Sequence, residues 1–447
     1  MAIIRGNAAD EFLQTFAPDD QIYGEGGNDT LDSGAGSDIL DGGIGADLMI
    51  GGLGDDVYVS DSLGDVTTEQ FNEGNDTLFC TGSSLMGSNI EIGRLVGAGI
   101  NLSVAASQTF AVQLVVNPTL ASTVLGGAGD DVLWGGGVGG TMFGRGGDDI
   151  LRDQAAATTM HGGVGNDQFV INSLSSVIVE NANEGIDTAW LEVDGYTLSD
   201  NIEITYLAGA AKTATGGNTA EQLVSNQATG STLFGRGGDD VLWGSVFADS
   251  LDGGAGDDIM RGQGGADTML GGDGNDSYVV LDPGVVIRES ANQGYDFVYI
   301  GLAANIDFTL ADNVEWAILS GAANRLTGNA SDNYLLGGGL SCRIDGQGGS
   351  DQIFGSNFAD TLIGGAGDDT IYCYGGADRL LYQSAGWGSD QLSGFATADG
   401  AKLDFRGSGL TFANLTLGVS GGNTLVSSGN DTVLVFGAVL TSNDFLF

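Results

Sequence analysis

The chain has 447 residues, among them 80 Gly and only 3 Pro, and its 59 acids against 13 bases give a net charge of −46. So much glycine with so little proline excludes collagen and proline-rich linkers, and 42 % apolar content excludes a disordered chain. The charge repels nucleic-acid phosphates and anionic membranes and draws cations, and no apolar run approaches the ~20 residues of a spanning helix.

The amino-terminal stretch MAIIRGNAADEF has no apolar core of signal-peptide length. It enters a nine-residue rhythm almost at once, with Glu11 and Asp20 at the sixth place and Leu13 and Ile22 at the eighth. Gly fills most first, second and fourth places, so each line of nine reads as a glycine turn followed by a short strand with an inward eighth residue. Four blocks follow with Asp at the sixth place. The first has Asp29, Asp38, Asp47 and Asp56, and the second Asp131, Asp149 and Asp167. The third has Asp240, Asp249, Asp258, Asp267 and Asp276, and the fourth Asp351, Asp360, Asp369 and Asp378. In the second block the lines GGAGDDVLW, GGGVGGTMF and GRGGDDILR keep Leu133, Met142 and Leu151 at the eighth place, but the middle line has Gly140 at the sixth. Thr158 takes the sixth place two lines later.

A longer repeat overlies the short one. Asp56, Asp167 and Asp276 are 111 and 109 residues apart, and Glu91, Glu203 and Glu315 in NIE, NIE and NVE are each 112 apart. Between blocks, alternating and β-branched runs such as VIVE, TAWLEV and FVYI predict further strands, and no helical period emerges. GNASDNYLLGG keeps the rhythm without the acid, with Asn333 at the sixth place, and predicts a coil that holds no ion. Thr68 to Asp76 and its equivalents, Glu184 with Asp187 and Asp296, read either as further ion sites or as plain surface turns; the same two readings hold for Glu73.

Other chemistries are thin. Lys212 and Lys402 are the only lysines and neither follows Gly, which excludes a GxxxxGK[ST] phosphate loop. His161 is the only histidine, which excludes HExxH zinc chemistry; in HGGVGND it reads as a turn residue. Cys80, Cys342 and Cys373 form neither a disulfide framework nor a metal knuckle and are expected as free thiols.

The nonapeptide rhythm resembles that of the RTX family, secreted proteins with hemolysin-type calcium-binding repeats. The resemblance implies an all-β fold, a right-handed parallel β-roll or β-solenoid, in which two nonapeptides make one coil. Turns 18 residues apart then stack on one edge, with calcium held between them by sixth-place carboxylates and turn carbonyls. Electrostatics agrees: carboxylates stacked ~5 Å apart repel by about 1 kcal/mol in water and ~3 kcal/mol at a dielectric near 20. A hard divalent cation removes that repulsion. Pairs 18 apart within the four blocks give roughly nine calcium ions or more. The second block is expected to bind along one edge only. The expected organisation is an amino-terminal cap and first unit (1–125), a second unit (126–234), a third (235–345), a fourth block (346–381) and a carboxy-terminal cap with a type I secretion signal (382–447). The early start of the rhythm argues for no upstream enzyme domain.

The expectation for function is a secreted structural protein of a Gram-negative bacterium. It would fold on extracellular calcium and assemble with itself into a surface layer, filament or extracellular matrix. Its other partners would be the type I secretion machinery and cell-surface polysaccharide, with no nucleic acid and no membrane insertion. The alternative is a calcium-stabilised adhesin or carbohydrate-binding module, for which Trp134 and Trp243 are the residues to watch. A solenoid carbohydrate-active enzyme ranks lower, because no catalytic pair stands out among the acids; the chain is expected not to be an enzyme.

Overall fold

A computed structural model describes residues 1–96, 101–117, 121–135, 138–154 and 157–447. Two residues of the acid-free line, 136 and 137, lie outside these. Period-two alternation sets the architecture: each short strand buries its central residue and turns its neighbours outward. Gln21–Tyr23 buries Ile22, Ile39–Asp41 buries Leu40 and Val132–Trp134 buries Leu133. Ile22, Leu31, Leu40, Met49 and Tyr58, all eighth-place residues, are completely buried. Met142 and Met160 are buried equally deeply, so the acid-free lines fill the core like the others.

The chain divides into two compact units, Met1–Gly217 and Asn218–Phe447. In the first, parallel strands run in register along one face from Ile3–Arg5 through Gln21–Tyr23, Ile39–Asp41 and Val57–Ser60. The file continues through Thr77–Cys80, Ile92–Leu95 and Gln113–Val115 to Val132–Trp134, Ile150–Arg152, Gln168–Ile171 and beyond. Phe12–Gln14, Thr30–Ala35, Leu48–Leu53 and Val66–Thr68 form the opposite face, and the same face resumes with Ser84–Met86. Two nonapeptides therefore make one coil. At the end of a block the coil length changes: Val57 pairs with Thr77 and Thr77 with Ile92, yet the pairing stays parallel.

The second unit repeats the plan from Gln222–Val224 to Ser389–Ser393 on one face, with Thr232–Gly237, Ser250–Ala255 and Thr268–Asp273 opposite. Its end differs. Thr416–Ser420, Asn423–Ser428 and Asp431–Val435 form an antiparallel meander, and the last of these lies parallel to Ser389–Ser393. Tyr382, Trp387, Phe405, Phe412, Phe445 and Phe447 pack ring on ring across this end. Helix among the described residues is confined to short 3-10 turns such as Thr397–Asp399. None is long and apolar enough to cross a membrane.

His161 is not a turn residue. It lies in the strand Thr158–Val164, opposite Phe143, with the rings stacked at 4.4 Å. The positive-φ turn begins later, at Gly163 and Gly165, so the ninth place here still belongs to the strand. All three cysteines are free and buried.

Candidate metal centres

A glycine turn ends in a sixth-place residue at the threshold of the next strand, as Asp29 before Thr30–Ala35 and Asp131 before Val132–Trp134, so parallel stacking lines these residues in files along the edges. Asp38 and Asp56 share one edge, Asp29 and Asp47 the other. Asp131, Asp149 and Asp167 form one file, while Gly140 and Thr158 pair on the opposite face. Each carboxylate reaches back to the coil before it. The N–H of Asp131 donates to Asp149 Oδ1 at 2.6 Å, and that of Asp149 to Asp167 Oδ1 at 2.7 Å. Asp240, Asp258 and Asp276 repeat this at 2.8 Å, as do Asp249 with Asp267 and Asp351 with Asp369 at 2.9 Å. The Asp360 N–H reaches Asp378 Oδ1, also at 2.9 Å. The fifth-place acid of the same turns does something else: Asp130 Oδ1 accepts the N–H of Asp148, and Asp148 Oδ1 that of Asn166, both on the following coil. Of the two aspartates in a GDD turn, the exposed fifth is a stitch and the buried sixth lines the site.

One oxygen of the sixth-place carboxylate is thus hydrogen-bonded. The second is the informative one. At Asp29, Asp38, Asp47, Asp56, Asp149, Asp167, Asp240, Asp258, Asp267, Asp276, Asp351, Asp369 and Asp378, Oδ2 is buried with no hydrogen-bond partner. Burying such an oxygen unpaired is costly, and burial pushes Asp149, Asp240 and Asp351 up to about 8. Repulsion from stacked neighbours adds to this, for example Asp167 and Asp131 on Asp149. The first-place glycine opens the space: a Cβ on Gly144, Gly253 or Gly364 would run into Asp149, Asp258 or Asp369 Oδ2. Buried, anionic, oxygen-only pockets kept open by glycine fit a hard divalent cation.

Asp131, Asp249 and Asp360 differ. Their Oδ2 accepts the N–H of Gly127, Ser245 and Ser356 in their own turns. These three follow coils with Val112, Ser231 and Cys342 at the equivalent place. The thirteen open aspartates follow a coil with Asp, Glu or, before Asp351, Asn333. An aspartate with no carboxylate or carboxamide on the coil before it closes on its own backbone; one with such a neighbour stays open. Open oxygens therefore extend the expected pairs to Asp29 after Glu11, Asp38 after Asp20 and Asp240 after Glu221. At Asp378 the first place is Cys373 rather than Gly. Its thiol sits among the Asp378 and Asp360 charges, which together with burial push its pKa up. The Asp360/Asp378 pair is the poorest fit to a cation.

Three clusters close the blocks: Asp56 with Glu69 and Asp76, Asp167 with Glu180 and Asp187, and Asp276 with Glu289 and Asp296. In each, one oxygen from every residue lies within 4.8 Å of the others. The sequence pointed to Asp76, Asp187 and Asp296 but paired them with Glu73 and Glu184. Those two instead cap turns, accepting from the Gln70 N–H at 2.8 Å and Asn181 Nδ2 at 2.7 Å. The missed signal is phase: Glu69, Glu180 and Glu289, in VTTE, VIVE and VIRE, stand at the first place, where most other lines have Gly. Trp134 and Trp243 face outward, half-buried, under Arg152 at 5.4 Å and Arg261 at 4.8 Å, as cation–π pairs between adjacent coils.

A family model for the RTX calcium-binding nonapeptide repeat (4 copies) matches residues 5–40, 23–58, 121–137, 140–169, 231–251, 243–278 and 345–380. No curated protein sequence matches the chain. Among solved structures, the extracellular lipase LipA from Serratia marcescens aligns at 16 % identity over 58 % of this chain, with a TM-score of 0.24. That alignment spans 45 % of the lipase chain and is too weak to carry anything over. The matched segments coincide with the carboxylate files, so repeat type and site geometry agree: the chain carries RTX calcium-binding nonapeptide repeats in multiple copies.

Proposed function

We propose that the protein is a secreted, calcium-dependent structural protein. It stays expanded where free calcium is scarce, folds on meeting extracellular calcium, and joins copies of itself in a surface layer, filament or extracellular matrix. What supports this is the series of buried, open carboxylate oxygens running through both units. Burying such rows as carboxylates in a chain of −46 net charge is costly without counter-ions, so ion binding becomes folding free energy. Self-association is supported at the first coil. Phe12 and Phe16 are 63 % and 77 % exposed there. Exposed aromatic residues favour contact with another chain. No catalytic role is proposed; His161 stacks on Phe143 rather than meeting a nucleophile.

Circular dichroism and light scattering in millimolar calcium and in excess chelator test both halves. Calcium should bring the β signal, and particles larger than one chain should follow. Equal β content and melting point in chelator would sink calcium-coupled folding, and a persistent monomer in calcium would sink assembly. One observation favours the carbohydrate-binding alternative. Trp316, Tyr334, Phe354 and Tyr372 stack in a file on the outer face of the second unit, with ring centres 4.4, 4.6 and 4.7 Å apart. The rings cover one another's faces, so a sugar would meet their exposed edges, with Trp316, 44 % exposed, the most open of the file. A glycan array with Trp316→Ala as control separates this from assembly.

A further inference from the structure

We propose that the three Asp–Glu–Asp pockets closing the blocks each bind a divalent cation of their own, of the hard, oxygen-ligated class of calcium, separate from the ions held between nonapeptide turns. The proposal rests on the calcium reading above and adds a second class of site to it. Its basis is convergence. Asp56 Oδ2 and Glu69 Oε2 have no hydrogen-bond partner, and neither do Asp167 Oδ2 and Glu180 Oε2 or Asp276 Oδ2 and Glu289 Oε2. Asp56 is 1 % exposed, Glu69 6 %, Asp167 0 % and Glu180 8 %. The pairs point into the same space: a Cβ on Gly51 would strike both Asp56 Oδ2 and Glu69 Oε1, and Gly162 and Gly271 repeat this with their own acid pairs.

The glutamate explains why the pocket exists only here. In most other lines the first place is Gly, and the space is kept open for the turn's own aspartate. At the end of each of the first three blocks a longer side chain enters from the following coil and brings a third carboxylate. Three converging carboxylates supply the anionic oxygens that a hard cation takes. The sites are not identical. The phenols of Tyr58 and Tyr278 donate to Glu69 and Glu289 Oε1. The middle pocket has Phe169 at that place, and Glu180 Oε1 takes the Gly162 N–H at 2.6 Å instead. The two outer pockets thus carry a tyrosine against a ligand carboxylate, and the middle one does not.

Calcium stoichiometry of the full chain, by calorimetry or native mass spectrometry, tests this with Glu69→Gln/Glu180→Gln/Glu289→Gln. None of the three glutamates belongs to a nonapeptide turn pair, so the variant should bind three ions fewer, one per pocket, and keep the rest. An unchanged count overturns the proposal. Should the variant not fold, terbium luminescence excited through tyrosine gives a second readout. Emission should fall in Tyr58→Phe/Tyr278→Phe and rise in Phe169→Tyr; no change in either overturns the proposal. A wild-type chain that binds no calcium at all would sink the functional reading itself, which separates the two failures.

Discussion

A glycine without a positive φ is the least conspicuous part of the site and one of the most testable. Gly144 has ordinary backbone angles, so its conservation of space, not its flexibility, is what Asp149 uses. Gly144→Ala should raise the calcium needed for folding several-fold, because the new Cβ enters the space of the open oxygen. Gly146→Ala is the control: its Cβ would meet only Val164 O at 3.7 Å, and it should titrate like wild type. Equal midpoints for both variants would refute the cradle. Asp149→Ala should weaken the sites on both sides of it, since its carboxylate lies between Asp131 and Asp167 in the file. Gly140→Asp should add no well-held ion unless Thr158→Asp accompanies it, as the two stand opposite in register; calorimetric stoichiometry decides. At this scale the sequence shows which aspartates are in phase. It does not show which are closed, because Asp131, Asp249 and Asp360 are set apart by a residue a whole coil earlier. Glu69 and its equivalents were overlooked for the opposite reason: they break the glycine pattern that the eye follows.

The stacked file is the element that titrates. Burial raises Asp258 and Asp276 to about 6, Asp56 and Asp267 to about 7, and Asp149, Asp240 and Asp351 to about 8. A carboxylate whose pKa rises on folding binds its proton better folded than unfolded. In chelator, its support for the fold is therefore fullest in acid and lost as pH climbs through about 6 to 8. Calcium needs the deprotonated form, so the calcium midpoint should fall over the same window. Melting in chelator at about pH 5.5 and 8.5, with calcium titrations at both, checks the sign; a higher melting point at the alkaline end would contradict it. The strand Lys402–Asp404 before the meander behaves differently: Arg406 and Arg379 hold the Asp404 carboxyl well below the usual range. Strands were the legible elements, since alternation around an apolar eighth place is local. The coils between blocks were harder, because register there passes through steps such as Val57 to Thr77 to Ile92 that no fixed period describes. His161 was misassigned because its GG neighbours imitate a turn that starts two residues later.

Over the whole chain, roughly nine calcium ions would bring −46 to about −28, leaving a strongly anionic surface that still resists collapse onto other acidic polymers. The length of the chain is also subject to a rule of parity, which follows from two lines making one coil. Residues 135–143, GGGVGGTMF, contain no acid. Removing them nevertheless turns everything downstream by half a coil. Asp131 then faces Thr158, and Asp149 and Asp167 move together to the other edge. The Asp149/Asp167 pair survives and the Asp131/Asp149 pair does not, so calcium stoichiometry should drop by one ion although no ligand was deleted. An unchanged count would mean that these two aspartates never shared an ion. Lines of nine can be gained or lost harmlessly only in twos, and an odd change rewires partnerships far from where it is made.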